Sequence, residues 1–183
     1  MKVLLFAVLA VLACACGSSI GDECSQSTDC SQEGDRICDP ASPGGYCTQE
    51  GCDFGTCPGE ATCVRFFPVT QLTMSSCVPG EEPSACNLDE ICVVGGYCAP
   101  RSTERRFCMK KCGGNGDCRK GYECRDEERM ALHGGEPVPD PDEPATTERE
   151  LQSFCASALP CRSDLDCDLG DTCDLSAVRC EQR

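Results

Sequence analysis

The sequence predicts a small disulfide-rich fold: a tandem array of about five four-cysteine modules, with short β-ribbons and little regular secondary structure. Three observations predict it. Cysteine supplies 22 of 183 residues, a density that marks a disulfide scaffold folding in an oxidising compartment. Large apolar side chains are sparse and tryptophan is absent, so burial alone does not offset the ordering entropy and bridges must supplement a thin core. Finally, the cysteines after Cys16 repeat in similar spacing, and a period of about 30 residues signals a repeat architecture.

The tetrads, read in chain order, are Cys24, Cys30, Cys38, Cys47; Cys52, Cys57, Cys63, Cys77; Cys86, Cys92, Cys98, Cys108; Cys112, Cys118, Cys124, Cys155; and Cys161, Cys167, Cys173, Cys180. Five residues separate the first two cysteines in four tetrads, and four in the other. Each second-to-third gap holds a glycine: Gly34, Gly59, Gly95 with Gly96, Gly121 and Gly170. A tight turn needing positive φ accounts for them. Only the last gap varies freely, from 6 to 30 residues, as suits one tolerant surface loop. Four cysteines allow three pairings, and spacing does not choose among them. The interleaved pairing, first to third and second to fourth, is common in small modules and is the expectation here.

Residues 1–15 read as a secretory signal: Lys2, then an apolar run from Val3 to Ala13 that is too short to span a bilayer. Residues 16–23 read as a short polar tether. Cysteine repeat 1 covers 24–51, repeat 2 covers 52–85, repeat 3 covers 86–111, repeat 4 covers 112–160 and repeat 5 covers 161–183. The modules are expected as five beads in a row. Repeat 2 holds the most apolar stretch after the signal, Val64 to Met74, expected as a hairpin broken near Pro68. Its Phe66, Phe67, Val69 and Leu72 form either that module's own small core or a patch for a partner. Repeat 4 carries an acidic, proline-rich loop, 126–150, expected to be disordered. Short helices are expected to flank it, and Thr147 to Glu150 fits a capping box.

Net charge is −15, and −16 once Lys2 leaves with residues 1–15. This balance argues against nucleic acid as a partner. It reads as solubility, or as attraction for cations or basic partners. The one cationic island comprises Arg101, Arg105, Arg106, Lys110 and Lys111.

No catalytic constellation emerges, and the chain reads as a non-enzyme without cofactors. Gly17 to Gly21 matches the letters of a serine-hydrolase elbow around Ser19, but that chemistry needs a strand-to-helix turn and a histidine in reach. The only histidine is His133. No C-x-x-C pair is present, which disfavours zinc and thioredoxin-like chemistry. Asp164, Asp166, Asp168 and Asp171 set carboxylates near one another, either as turn formers or as a weak calcium site. Arg105 and Arg106, beside Cys108, stand where an inhibitor of trypsin-like proteases would carry its bait loop.

Val11-Leu12-Ala13-Cys14 and Ala13-Cys14-Ala15-Cys16-Gly17-Ser18 resemble the signal of a bacterial lipoprotein. In that family a cysteine after a small residue receives palmitate-type acyl chains and becomes N-terminal. Cys16 is the expected site, since it leaves twenty cysteines for ten bridges; Cys14 is the alternative and leaves one unpaired. Ordinary cleavage after Gly17 or Ser18 would also leave twenty, so a freely secreted protein stays open. The run Cys161 to Cys173, with Ser163 and Asp164, resembles the Dickkopf N-terminal cysteine-rich pattern and the tandem cysteine repeats of bacterial lipoproteins. The resemblance implies small modules that bind or display rather than catalyse. The functional expectation is an exported lipoprotein at the outer membrane or cell surface, lipid-anchored and meeting an unknown protein or surface ligand. A secreted protease inhibitor or antagonist and a weak calcium-binding module are the alternatives.

Overall fold

A computed structural model describes residues 17–73, 75–81, 85–142, 151–161, 163, 167, 171–176 and 179–181. Its strands are β1 (Ile37–Asp39), β2 (Tyr46–Thr48), β3 (Ala61–Phe66), β4 (Glu90–Cys92), β5 (Cys98–Pro100), β6 (Arg105–Lys110), β7 (Tyr122–Arg125), β8 (Glu136–Pro137), β9 (Phe154–Ser157), β10 (Thr172–Asp174) and β11 (Arg179–Glu181). Two short helices join them, α1 (Ser27–Cys30) and α2 (Glu127–His133). The small disulfide-rich class with short ribbons is what the structure shows.

Five antiparallel pairings carry the modules: β1–β2, β3–β6, β4–β5, β7–β9 and β10–β11. In each, two cysteines stand directly opposite: Cys38 and Cys47, Cys63 and Cys108, Cys92 and Cys98, Cys124 and Cys155, Cys173 and Cys180. Each pairs instead with one of two cysteines on the preceding segment. The bridges are Cys24–Cys38 with Cys30–Cys47, Cys52–Cys63 with Cys57–Cys108, Cys77–Cys92 with Cys86–Cys98, Cys112–Cys124 with Cys118–Cys155, and Cys161–Cys173 with Cys167–Cys180. Ordered along the chain, every module pairs first to third and second to fourth.

Two modules, however, are not the ones read in tandem. Cys57 bridges Cys108 rather than Cys77, and Cys77 bridges Cys92. Module two is therefore Cys52, Cys57, Cys63 and Cys108. Module three, Cys77, Cys86, Cys92 and Cys98, is inserted whole into its last gap. The boundary read at residue 85 does not separate two modules. The cause is the length of β3, which pairs with β6 over six residue pairs. That ladder and the Phe66–Phe107 ring contact, 6.3 Å between centroids, outweigh chain proximity. The expected hairpin at Pro68 is replaced: β3 ends at Phe66, and Val69–Gln71 form a 3₁₀ turn that leads into the insert. Gly95 and Gly96 then lie in the β4–β5 turn, not in a second-to-third gap.

Nor are the modules separate beads. One core draws Tyr46 from module one, Val64 and Met109 from module two, and Tyr122, Met130 and Phe154 from module four. Tyr46 stacks on Tyr122 at 5.3 Å, and the Arg119 guanidinium lies 4.2 Å from the Tyr122 ring centre. Burial pushes both phenols above their ordinary pKa; the Tyr46 hydroxyl donates to the Cys155 carbonyl and accepts from the Lys110 amide. Gly45 makes the approach in module one possible: a Cβ there would lie 1.9 Å from the Cys24 carbonyl oxygen, at φ +69°.

The stretch read as a tether is folded from residue 17 onward. Ile20 is fully buried in the common core. The Gly21 amide donates to the Cys47 carbonyl (2.9 Å), and the Cys47 amide donates to the Asp22 carbonyl (3.0 Å), so this segment flanks β2. An isolated buried isoleucine among polar residues left no periodicity to read.

The loop 126–150 is ordered over its first part. Asp126 caps α2 by accepting the Arg129 amide at 3.0 Å, and Gly134 ends the helix at positive φ. β8 then joins the edge of β3, giving the sheet order β6-β3-β8, and the Val138 amide donates to the Cys63 carbonyl (2.8 Å). The proposed capping box at 147–150 lies outside the described residues.

Candidate functional site

A narrow apolar cleft of about 280 Å³ lies between the inserted module and α2. Its walls include all four residues of the sequence patch, Phe66, Phe67, Val69 and Leu72. Phe66 also serves the core, edge-on to Phe154 at 6.1 Å; Val69 is 80 % exposed. The facing walls come from elsewhere in the sequence: Val94 and Tyr97 on the β4–β5 turn, and Leu132 on α2. Sequence spacing gave no sign of them, because they belong to two other modules.

Glu136 forms the polar floor of this cleft. Its Oε1 accepts from Arg65 Nε at 2.7 Å and its Oε2 from the Val94 amide at 2.6 Å. Through this amide, module three donates a hydrogen bond to the body beyond its own insert. One carboxylate thus ties β3, β8 and the β4–β5 turn together. Gly95 lets that turn close on α2, since a Cβ there would lie 3.1 Å from the Ala131 carbonyl oxygen.

Behind the cleft lies a buried ionic network. Glu123, 1 % exposed, accepts from Arg125 Nε (2.9 Å) and Arg129 Nη1 (3.2 Å) and lies 2.7 Å from His133 Nδ1. Burial alone would raise its pKa, but the His133 contact and the Arg125 charge hold it below the ordinary value of 4.5. Arg125 also donates to the carbonyls of His133, Gly134 and Ser157. Arg129 Nη2 reaches Asp171 Oδ2 at 2.8 Å, which links module four to module five.

That contact bears on the calcium reading. Asp171 serves a guanidinium; Asp164, Asp166 and Asp168 lie outside the described residues. Ser18 Oγ donates to the Asp29 carbonyl. Arg105 and Arg106 do not form a protruding loop. They sit in β6, opposite Phe66 and Arg65, and the Gly51 amide donates to the Arg106 carbonyl from the other side. Arg106 pairs with Glu104 and Asp53, and Arg105 lies 3.6 Å from Glu50. With Arg101 they line an open groove beside the cleft. Three cysteine sulfurs converge in each of the five modules, and all belong to the bridges above, so none is a thiolate ligand.

Comparison with protein-family models, curated proteins and solved structures finds no match to this chain. Ten bridges place the protein among exported chains that fold under oxidising conditions. Among the described residues no helix is long and apolar enough to cross a membrane.

Proposed function

We propose that this chain is an exported lipoprotein, anchored through Cys16, whose disulfide-clamped body binds or displays rather than catalyses. One observation carries the anchor: the lipoprotein-like run Ala13-Cys14-Ala15-Cys16-Gly17-Ser18 directly precedes the folded body, whose ten bridges use the twenty cysteines from Cys24 to Cys180 and do not call on Cys16. Cys16 lies outside the described residues and stands where the lipoprotein signal expects the acylated residue. Several acyl chains on one cysteine anchor stably, at about 0.8 kcal/mol per buried CH₂. The apolar cleft supports the binding half of the reading, and the resemblance to Dickkopf-like repeats agrees with it. The inhibitor alternative is less favoured, because a bait loop must enter a protease cleft and the Arg105–Arg106 backbone is hydrogen-bonded on both sides.

The test is the intact mass of the exported protein, alkylated before reduction, together with membrane fractionation. The expected mass is residues 16–183 plus lipid, less about twenty hydrogens for ten bridges. Cys16→Ala should move the protein to the soluble fraction. A lipid-free mass beginning near Ser18 or Ser19 would replace the anchor with free secretion.

A further inference from the structure

What enters the cleft is constrained by what its walls already do; this inference rests on the binding reading above. Glu136 is engaged by Arg65 and the Val94 amide, and His133 faces Glu123. With both of these polar side chains engaged and most of the cleft walls apolar, the inserted part of a partner is expected to be apolar, since a polar side chain there would lose its water for little return. The rim points to a protein. Of the eight large apolar side chains exposed among the described residues, Val69, Tyr97 and Leu132 gather at this one cleft. A pocket ringed by exposed apolar groups is how interfaces seat an anchor residue.

Charge specifies the partner further. Across the 3₁₀ turn, Arg105 and Arg106 are matched by Glu50, Glu104 and Asp53; Arg101 lines that neighbouring groove and not the cleft. On the α2 side the balance is reversed. Glu127 and Glu128 are exposed and have no ion-pair partner among the described residues. They stand four positions before Ala131 and Leu132, which line the cleft, and so share their side of the helix. The net charge of −15 adds a field of the same sign, which speeds encounter with cations.

We propose that the cleft docks a cationic amphipathic segment of another protein. A Leu or Phe side chain fills the cleft, and Lys or Arg within one turn of it faces Glu127 and Glu128.

The probe is a short labelled peptide of Leu-Lys-Lys-Leu blocks, with its Leu-Glu-Glu-Leu counterpart, titrated by anisotropy into the natively exported, oxidised protein. The lysine peptide should bind and the glutamate peptide should not. Leu132→Asp is decisive, because it adds negative charge while spoiling the cleft. Docking predicts a loss of about tenfold or more in affinity; unchanged or tighter binding would show adsorption by charge alone and overturn the proposal. Glu127→Lys with Glu128→Lys should also weaken binding about tenfold. All three side chains are exposed, and an unchanged count of ten bridges by mass checks the fold. Equal binding of both peptides, or no binding, would overturn the assignment. So would concentration-dependent self-association lost in Leu132→Asp, which would make the occupant a second copy. Fractionation through Cys16 is read separately, so failure here leaves the anchor reading intact.

Discussion

Cys63 and Cys108 stand directly opposite each other across the β3–β6 ladder, yet neither is bonded to the other. Cys63 is tied back to Cys52 and Cys108 to Cys57. Backbone hydrogen bonds already hold the ribbon, so a bridge across it would constrain little. Two bridges to the preceding segment instead clamp an otherwise loose loop onto the ribbon. This device recurs in all five modules and explains how so thin a core holds its shape.

Bridge mapping of the oxidised protein should find Cys57–Cys108 and Cys77–Cys92. Linked peptides Cys57–Cys77 and Cys92–Cys108 would restore the tandem arrangement and remove the insert. Replacing Cys57 and Cys108 together by Ser should lower stability by up to about 4 kcal/mol, read by denaturant unfolding.

Acid should loosen the joint behind the cleft. The Glu123 pKa is held below its ordinary value in the folded state. A depressed carboxylate contributes stability that is present above the unfolded pKa and is lost as pH falls through the folded one. Melting temperature should therefore stay level down to about pH 5 and decline below it. Glu123→Leu leaves Arg125 and Arg129 facing an uncharged site and should cost about 3–5 kcal/mol at neutral pH.

Glu136→Ala should release module three without unfolding it. Hydrogen exchange at the Val94 amide, protected by that carboxylate, should rise, while exchange in β7 and β9 stays as it was. A global rise instead would mean that Glu136 supports the whole core through Arg65.

Two substitutions test the docking of the N-terminal segment. Ile20→Ala should cost about 2–5 kcal/mol, as for a core residue, whereas a tether residue would cost nothing. Gly45→Ala should destabilise by more than about 1 kcal/mol, since its Cβ would meet the Cys24 carbonyl.

Cysteine density and recurring gaps were enough to read the disulfide class. The order of modules was not, because 86–92–98 satisfies the five-residue rule both as the start of a tandem repeat and as the end of an inserted one. What decides between them is the β3–β6 ladder, whose partners stand 39 to 49 residues apart and which local spacing does not encode. Ile20, Glu136 and Val138 escaped for a related reason: Ile20 is a lone apolar residue in a polar stretch, and Glu136 and Val138 lie in a short acidic, proline-rich segment with too few apolar residues to show a period. The patch at Phe66 to Leu72 was visible as composition, but the cleft was not, since its other walls belong to Tyr97 and Leu132.

The insert also has a consequence for biogenesis. A chain threaded outward from its N-terminus delivers Cys57 and Cys77 to the oxidising side well before Cys108. Closing the 57–77 loop costs about 0.8 kcal/mol less in chain entropy than closing 57–108. Cys57 is then exposed to wrong partners before Cys108 arrives, and thiol–disulfide exchange must undo any bridge it makes with them. Yield of this protein should depend on a disulfide isomerase and not on an oxidase alone, a dependence that a string of five self-contained modules would escape.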